Sequence, residues 1–229
     1  MKPVCVFFDL DNTLVDRPAS MTEYAGCFAQ DFADRLEDVA VKDLADQISE
    51  YDGGGYNPKE EMFSNIASGL PWATRPDVTE IEEHWFSVFP KCTKGKAGFR
   101  QILHDVHSRE MSTGLITNGK SKSQDAKIDL LDIRALLDVI VISEAVDCWK
   151  PDPGIFQIAM DKAGTTPEET WFVGDNPIAD VKGARDLAIT AVWITGSHDW
   201  PESEPPPTYE IDELEQLNLL LDIAAGGAP

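Results

Sequence analysis

Two acidic residues, Asp9 and Asp11, follow directly on a short apolar run at residues 4–8. A run of that length is typical of a buried strand, and open parallel sheets bind ligands at the carboxyl ends of their strands. One carboxylate placed there can attack an electrophile while the other transfers protons. Asp and Asn also favour turns, so a plain acidic turn is the alternative interpretation of this stretch by itself.

A second polar stretch, Thr117-Asn118-Gly119, stands between a predicted strand and a predicted helix. The Thr117 hydroxyl and the backbone N–H groups near Asn118 can bind an oxyanion at such a junction, although Asn-Gly is equally typical of a simple turn. Farther along, Lys150 precedes a proline that stiffens its backbone. A lysine in that position supplies a point charge for a phosphate or, alternatively, lies on the surface.

Two more acids, Asp175 and Asp180, follow the apolar run at residues 170–174. Gly174 permits a tight turn, which brings Asp175 to the same edge of the sheet as Asp9. Asp180 falls in the first turn of the next predicted helix. Helix capping would explain either Asp175 or Asp180 taken alone.

Apolar strands and amphipathic helices alternate around these residues. This pattern predicts an α/β fold, a three-layer Rossmann-like parallel sheet with helices on both faces. The predicted strands after the first lie at 113–117, 139–143, 170–174 and 191–194, and the predicted helices at 98–108, 123–133, 153–163, 178–187 and 211–224. For 211–224, a strand at its N-terminal end is the alternative.

The segment 18–92 interrupts this alternation and shows no clear strand. We therefore predict an α/β core formed by residues 1–17 and 93–229, with an inserted all-helical cap at 18–92. Entering the fold at the sheet's ligand edge, such a cap would act as a lid or be a passive decoration. Its helices are indicated by Tyr24, Phe28, Phe32 and Leu36, which recur every four residues, and by helical stretches near 41–51, 58–68 and 77–88.

The composition restricts the partners of this chain. Its 229 residues carry 19 Lys and Arg against 41 Asp and Glu, a net charge of −22. Such a field repels nucleic acid and anionic membranes, so neither is an expected partner. It also repels phosphate esters at long range, so a site for them must supply its own positive charge. The chain has no apparent signal peptide or membrane span, and its cysteines lack metal spacing. These features predict a cytoplasmic protein.

The four motifs, in this order and each at the end of a strand, closely resemble the haloacid dehalogenase (HAD) superfamily. The similarity is to its phosphatase branch with an inserted helical cap of the C1 type, and it spans residues 3 to about 195. It implies a Mg²⁺-dependent hydrolase that cleaves small phosphate monoesters through an aspartyl-phosphate intermediate. The stretches around Thr117 and Asp175 are similar to nucleotidase-like members. A small phosphorylated metabolite is the implied partner of a monomer or homodimer.

The resemblance also implies a role for each matching residue. Asp9 would be the nucleophile, and Asp11 the acid and base. Thr117, the Asn118 backbone and Lys150 would bind the phosphoryl group. Mg²⁺ would be bound by Asp9, the Asp11 carbonyl and Asp175, with Asp180 as a neighbouring partner that sometimes binds directly.

Other activities of the same fold remain open. A haloacid dehalogenase uses the Asp nucleophile but lacks the second acid, so Asp11 argues against it. A phosphomutase would need a cap that excludes water. A phosphonate hydrolase would need a cap lysine for a Schiff base, and Lys42 and Lys59 are interpreted as surface charges. The non-enzymatic alternative is a phospho-accepting signalling protein, which would need neither the inserted segment nor Asp11.

Overall fold

The structure, a computed structural model, describes residues 2–226 and divides into two compact units. The core unit comprises the chain up to Val15 and from Gly95 onward, and the cap unit is Asp16–Lys94. The cap predicted from the sequence, residues 18–92, begins two residues later and ends two residues earlier than this cap unit.

A six-stranded sheet organises the core unit. All its strand pairs are parallel, in the spatial order β3-β2-β1-β4-β5-β6, which places β1 in the middle between β2 and β4. The strands are β1 (Cys5–Phe8), β2 (Ser112–Thr117), β3 (Val139–Ile142), β4 (Thr170–Gly174), β5 (Thr190–Ile194) and β6 (Tyr209–Ile211).

Side chains that alternate along β1 supply two separate apolar clusters. Val6 and Phe8 belong to one cluster, and Cys5 and Phe7 to the other, so each face of the sheet has its own buried core. This confirms the predicted α/β fold with a layered parallel sheet. The helices of the core unit are α5 (Phe99–Ser108), α6 (Ser121–Leu130), α7 (Ser143–Val146), α8 (Pro153–Ala163), α9 (Gly183–Arg185) and α10 (Leu217–Ala224).

Two predicted helices of the core unit take a different form. The stretch predicted as one helix at 178–187 begins with a π-helical segment, Pro177–Lys182, and only then continues as α9. The stretch 211–224 takes the alternative form: it begins at Ile211, the last residue of β6, and is α-helical from Leu217. Parallel pairing of β6 with β5 gives the start of this stretch its extended form.

The cap unit is entirely helical apart from an isolated bridge between Leu36 and Trp72. Its first helix ends at Asp31, so Phe32 and Leu36 lie beyond it, although both still pack in the cap's apolar cluster. Lys59 is not the surface charge that was expected: its ammonium lies 2.6 Å from the buried carboxylate of Asp52. The helices are α1 (Arg17–Asp31), α2 (Val41–Asp52), α3 (Lys59–Gly69) and α4 (Val78–Val88).

Across residues 2–226, none of the helices combines the length and the apolar character needed to cross a membrane.

Gly114 is required where β2 passes β1. It lies opposite Phe7, and a Cβ built on it would approach the Phe7 ring to 2.2 Å. We expect Gly114→Ala to lower the free energy of unfolding by about 1–3 kcal/mol through overpacking of a dense core. Denaturant titration of the full chain measures the change.

The double variant with Phe7→Leu isolates the cause. Because a smaller side chain makes room for the new methyl group, Gly114→Ala should cost less in the Phe7→Leu background. An equal cost in both backgrounds would contradict the steric explanation. Gly26→Ala, where a Cβ meets nothing within 4 Å, is the control and should not destabilise.

Candidate active site

Asp9 and Lys150 form the centre of the site. Asp9 follows β1 directly, and its N–H donates to the Val173 carbonyl at 2.9 Å, which continues the pairing with β4 by one residue. The Lys150 ammonium donates to Asp9 Oδ1 at 2.6 Å and to Asp180 Oδ1 at 2.7 Å. Asp9 and Lys150 are 4% and 6% exposed and Asp180 is fully buried. A buried ammonium of this kind persists only with such charged partners.

Asn118 holds the backbone of Lys150 in place. Its side-chain amide donates to the Lys150 carbonyl and accepts from the Lys150 N–H, both at 2.9 Å. The ammonium also lies 5.2 Å from the centre of the Phe172 ring. The side chain of Asn118 therefore positions the lysine, and only the backbone of Asn118 remains to act on a ligand.

Asp180 is brought to this cluster by the π-helical segment. The side chain of Asn176, not an aspartate, caps that segment by accepting from the N–H groups of Ile178 and Ala179. Asp180 Oδ2 accepts from the Asn176 N–H at 3.0 Å. A Cβ on Gly174 would stand 2.4 Å from the same oxygen, so only glycine fits there. Helix capping alone therefore does not account for Asp175 or Asp180.

Asp175 is anchored at the end of β4. Trp193 donates its ring N–H to the Asp175 carbonyl at 2.8 Å, and the Thr13 hydroxyl stands 3.5 Å from Oδ1. Asp175 Oδ2 is buried and accepts no hydrogen bond from the residues that the structure describes, although His198 Nε2 lies 3.3 Å away. A buried carboxylate oxygen that accepts no well-formed hydrogen bond is expensive, so a cation beside Oδ2 would be favourable.

The three aspartates Asp9, Asp175 and Asp180 fit a divalent cation. Each offers one carboxylate oxygen, and these oxygens all lie within 4.8 Å of one another. Burial raises the pKa of Asp9 well above its ordinary value; Lys150 opposes this effect, and the two neighbouring carboxylates add to it. Burial likewise raises the pKa of Asp175. One lysine does not balance three buried carboxylates, and an all-oxygen donor set suits Mg²⁺.

The Asp11 carboxylate contacts a different lysine from the one that contacts Asp9. Its carboxylate lies between two side chains of α6, where Lys127 Nζ donates to Oδ1 at 2.8 Å and to Oδ2 at 2.7 Å. Gln124 Nε2 donates to Asp11 Oδ2 at 3.1 Å and also to Thr117 Oγ1 at 2.6 Å. Thr117 is thus connected to Asp11 through one buried amide, and each acid of the first motif has its own buried lysine.

The structure brings all the predicted residues to one edge of the sheet, but sequence reasoning missed Gln124 and Lys127. Both are buried, and with Ile128 they form the buried face of α6. A polar pair on the buried face of a helix that begins four residues after Thr117 was the available signal. The sequence shows the polar pair, but only the structure shows that this side of the helix is buried. Asn176 and His198 were also missed.

The sequence of the chain matches the model of a known protein family. A family model described as haloacid dehalogenase-like hydrolase matches residues 6–194. That range agrees with the resemblance found in the sequence, which confirms the predicted superfamily.

Individual relatives agree with the family match. A pyrimidine 5'-nucleotidase, YjjG, of Escherichia coli is 25% identical over 96% of this chain and 99% of its own. A phosphoserine phosphatase of Thermus thermophilus is 32% identical, but the match covers 52% of this chain and 47% of that protein. The crystal structure of the HAD-hydrolase YfnB from Bacillus subtilis, bound to magnesium, superimposes with a TM-score of 0.78 at 19% identity, covering 97% of this chain and 100% of that one. That structural likeness shows a shared fold.

Removal of metal should be visible as a loss of stability. Because a cation bound at this aspartate cluster would favour the folded state, Mg²⁺ at about 100 times its Kd should add ~2.7 kcal/mol to the free energy of unfolding. Thermal unfolding in EDTA and in Mg²⁺ measures this. Asp175→Asn should abolish the increase, and Glu168→Gln, a change at an exposed acid, should preserve it. If the melting temperature of the wild type is the same in EDTA, in Mg²⁺ and in Mn²⁺, the metal site is refuted.

Proposed function

We propose that this chain, which belongs to the haloacid dehalogenase-like hydrolases, hydrolyses small phosphate monoesters. The observation that carries the proposal is the buried Asp9 carboxylate, which Lys150 holds at 2.6 Å at the ligand edge of a parallel sheet. Asp11, two residues on, supplies the second carboxyl group that such a hydrolysis needs.

The reaction has two steps on Asp9. In the first, an Asp9 oxygen attacks phosphorus and the bond to the leaving oxygen breaks, while the carboxyl proton of Asp11 passes to that oxygen. In the second, Asp11 takes a proton from water as the water oxygen bonds to phosphorus, the bond to Asp9 breaks and phosphate leaves. Splitting one hydrolysis into two displacements is the advantage of covalent catalysis.

Charge is the main obstacle to the first step. A carboxylate and a phosphate charge 4 Å apart repel by about 4 kcal/mol at an effective dielectric constant of 20. Lys150 offsets part of this, and the Thr117 hydroxyl and the Asn118 backbone bind phosphoryl oxygens. Asp9, Asp175 and the Asp11 carbonyl would hold Mg²⁺, with Asp180 beside them. When bound, the ion neutralises charge on the nucleophile and the phosphate.

The surroundings of Asp11 favour a phosphatase over a haloacid dehalogenase. A dehalogenase has no use for a second acid, yet here two buried side chains of α6, Gln124 and Lys127, bond to the Asp11 carboxylate. The same acid argues against a phospho-accepting signalling role, which requires a stable phosphoaspartate and no base to hydrolyse it.

The leaving group is expected to be a small metabolite. The full-length similarity to a pyrimidine 5'-nucleotidase makes a nucleoside monophosphate the first candidate, and the partial similarity to a phosphoserine phosphatase makes an amino acid phosphate the second. Four free cysteines fit a reducing compartment, and we propose a cytoplasmic location for the enzyme. A monomer or homodimer stays a prediction.

Asp9→Asn tests the nucleophile. Because the amide cannot form the acyl phosphate, kcat for p-nitrophenyl phosphate with Mg²⁺ should fall by about 10³-fold or more. Asp161→Asn, which changes an exposed aspartate on α8, should retain full activity. Substantial turnover by Asp9→Asn would rule out the covalent mechanism, and a single phosphorylation of the wild type without release would instead favour a signalling protein.

A substrate panel tests the class of leaving group. We expect a pyrimidine nucleoside monophosphate to show a higher kcat/KM than phosphoserine, sugar phosphates and phosphoglycolate, because its nucleoside adds contacts beyond the phosphate. Initial rates of phosphate release across the panel give the ranking. A sugar phosphate or phosphoglycolate at the top would refute the nucleotidase proposal while leaving the phosphatase proposal intact.

A further inference from the structure

Gln124 and Lys127, the polar pair on α6, are buried although the stability of the fold does not require polar side chains there. Gln124 is 2% exposed and Lys127 is 4% exposed, and apolar residues of similar volume are often as stabilising as a buried ion pair. Among residues 2–226, the buried cationic side chains are Arg17, Lys127 and Lys150. The last two each contact one acid of the first motif, with Lys127 on Asp11 at 2.7 Å. The position of Lys127 is thus tied to the reacting end of the sheet.

The orientation of the Gln124 amide follows from its neighbours. Asp11 Oδ2 accepts from Lys127 at 2.7 Å, so this oxygen acts as an acceptor, and the proton of the acid step has Oδ1 to occupy. The side of the amide that faces Asp11 Oδ2 must therefore be the NH₂ group, since the amide oxygen would repel it. The second proton of the same NH₂ group then goes to Thr117 Oγ1, 2.6 Å away.

The hydrogen bond from the Gln124 amide restricts where the Thr117 hydroxyl can send its own proton. Because its oxygen accepts from Gln124, its own proton is directed away from the amide and can be donated to a phosphoryl oxygen. The same amide holds one oxygen of Asp11. Gln124 therefore connects the group that binds the phosphoryl oxygen to the group that transfers the proton.

We propose that Gln124 and Lys127 are positioning residues for the hydrolysis: Gln124 sets the direction of the Thr117 hydroxyl and, with Lys127, holds the Asp11 carboxyl in place for proton transfer. This inference rests on the proposed phosphatase function. Lys127 acts through Asp11, whereas Gln124 acts through both Asp11 and Thr117. The two residues consequently have different kinetic signatures.

Lys127→Met tests the action through Asp11. With glycerol 2-phosphate, whose leaving group needs a proton, kcat should fall about 10- to 100-fold, within the range of general acid–base catalysis. The formation of phosphoenzyme from p-nitrophenyl phosphate should change less than threefold, because nitrophenolate leaves unprotonated, so rapid quench should show a burst. Lys122→Met, the same change at an exposed lysine of α6, should leave all rates unchanged.

A double-mutant cycle separates positioning from a general structural effect. If Lys127 works through Asp11, then Asp11→Asn with Lys127→Met should be no slower than Asp11→Asn alone, within about threefold. Multiplicative losses in kcat, or a loss in the rate of phosphoenzyme formation that is equal for the two leaving groups, would overturn the proposal for Lys127.

Gln124→Leu tests the action through Thr117. Because the hydroxyl is no longer directed, the Kd for inorganic phosphate in the presence of Mg²⁺ should rise about 5- to 20-fold, whereas Lys127→Met should leave it within threefold. Gln124→Glu, which keeps the length but places an acceptor beside Asp11, should not rescue binding. Unchanged phosphate binding by Gln124→Leu would overturn this part.

Phosphate binding by calorimetry needs no turnover. If the wild type hydrolyses no ester, the proposed function fails, and the binding comparison between Gln124→Leu and Lys127→Met still decides whether Gln124 directs the Thr117 hydroxyl toward a phosphoryl oxygen.

Discussion

Three buried carboxylates around one buried ammonium are the constraint on which the site depends. Asp9, Asp175 and Asp180 would repel one another in a low-dielectric interior, and Lys150 bonds to two of them at 2.6 and 2.7 Å. Burial alone would lower the pKa of Lys150, but these two carboxylates raise it above its ordinary value. The ammonium therefore stays charged, and the remaining excess of negative charge attracts a divalent cation.

The sheet makes this arrangement possible because it delivers acids from neighbouring strands to one edge. β1 and β4 are adjacent and parallel, so Asp9 and Asp175 emerge side by side. Two glycines provide the necessary close approach: Gly114 admits the ring of Phe7 beneath the site, and Gly174 admits the carboxylate of Asp180. The packing of the core therefore depends on Gly114, and the chemistry of the edge on Gly174.

A chain with a net charge of −22 must concentrate positive charge where a phosphate is to bind. At the proposed site two buried lysines, Lys150 on Asp9 and Lys127 on Asp11, would supply part of that charge, and a bound cation would supply the rest. Because their heads are fixed by hydrogen bonds to carboxylates, they need little reorganisation when a ligand arrives. Preorganised charge of this kind is worth more in a buried site than the same charge in solvent.

The sequence by itself determined the parallel α/β core, the helical character of the inserted segment and the residues that gather at the sheet edge. Apolar runs and helical periods are local signals, and acids placed directly after a strand have one edge to occupy. Only the tertiary structure decided which side chains pair: Lys150 meets Asp9 across 141 residues of chain, and Lys127 meets Asp11 across 116. It also decided that Asn118 clamps Lys150, that a π-helical segment presents Asp180, and that residues 209–211 join the sheet. These outcomes depend on contacts between distant segments, whose energies no local pattern contains.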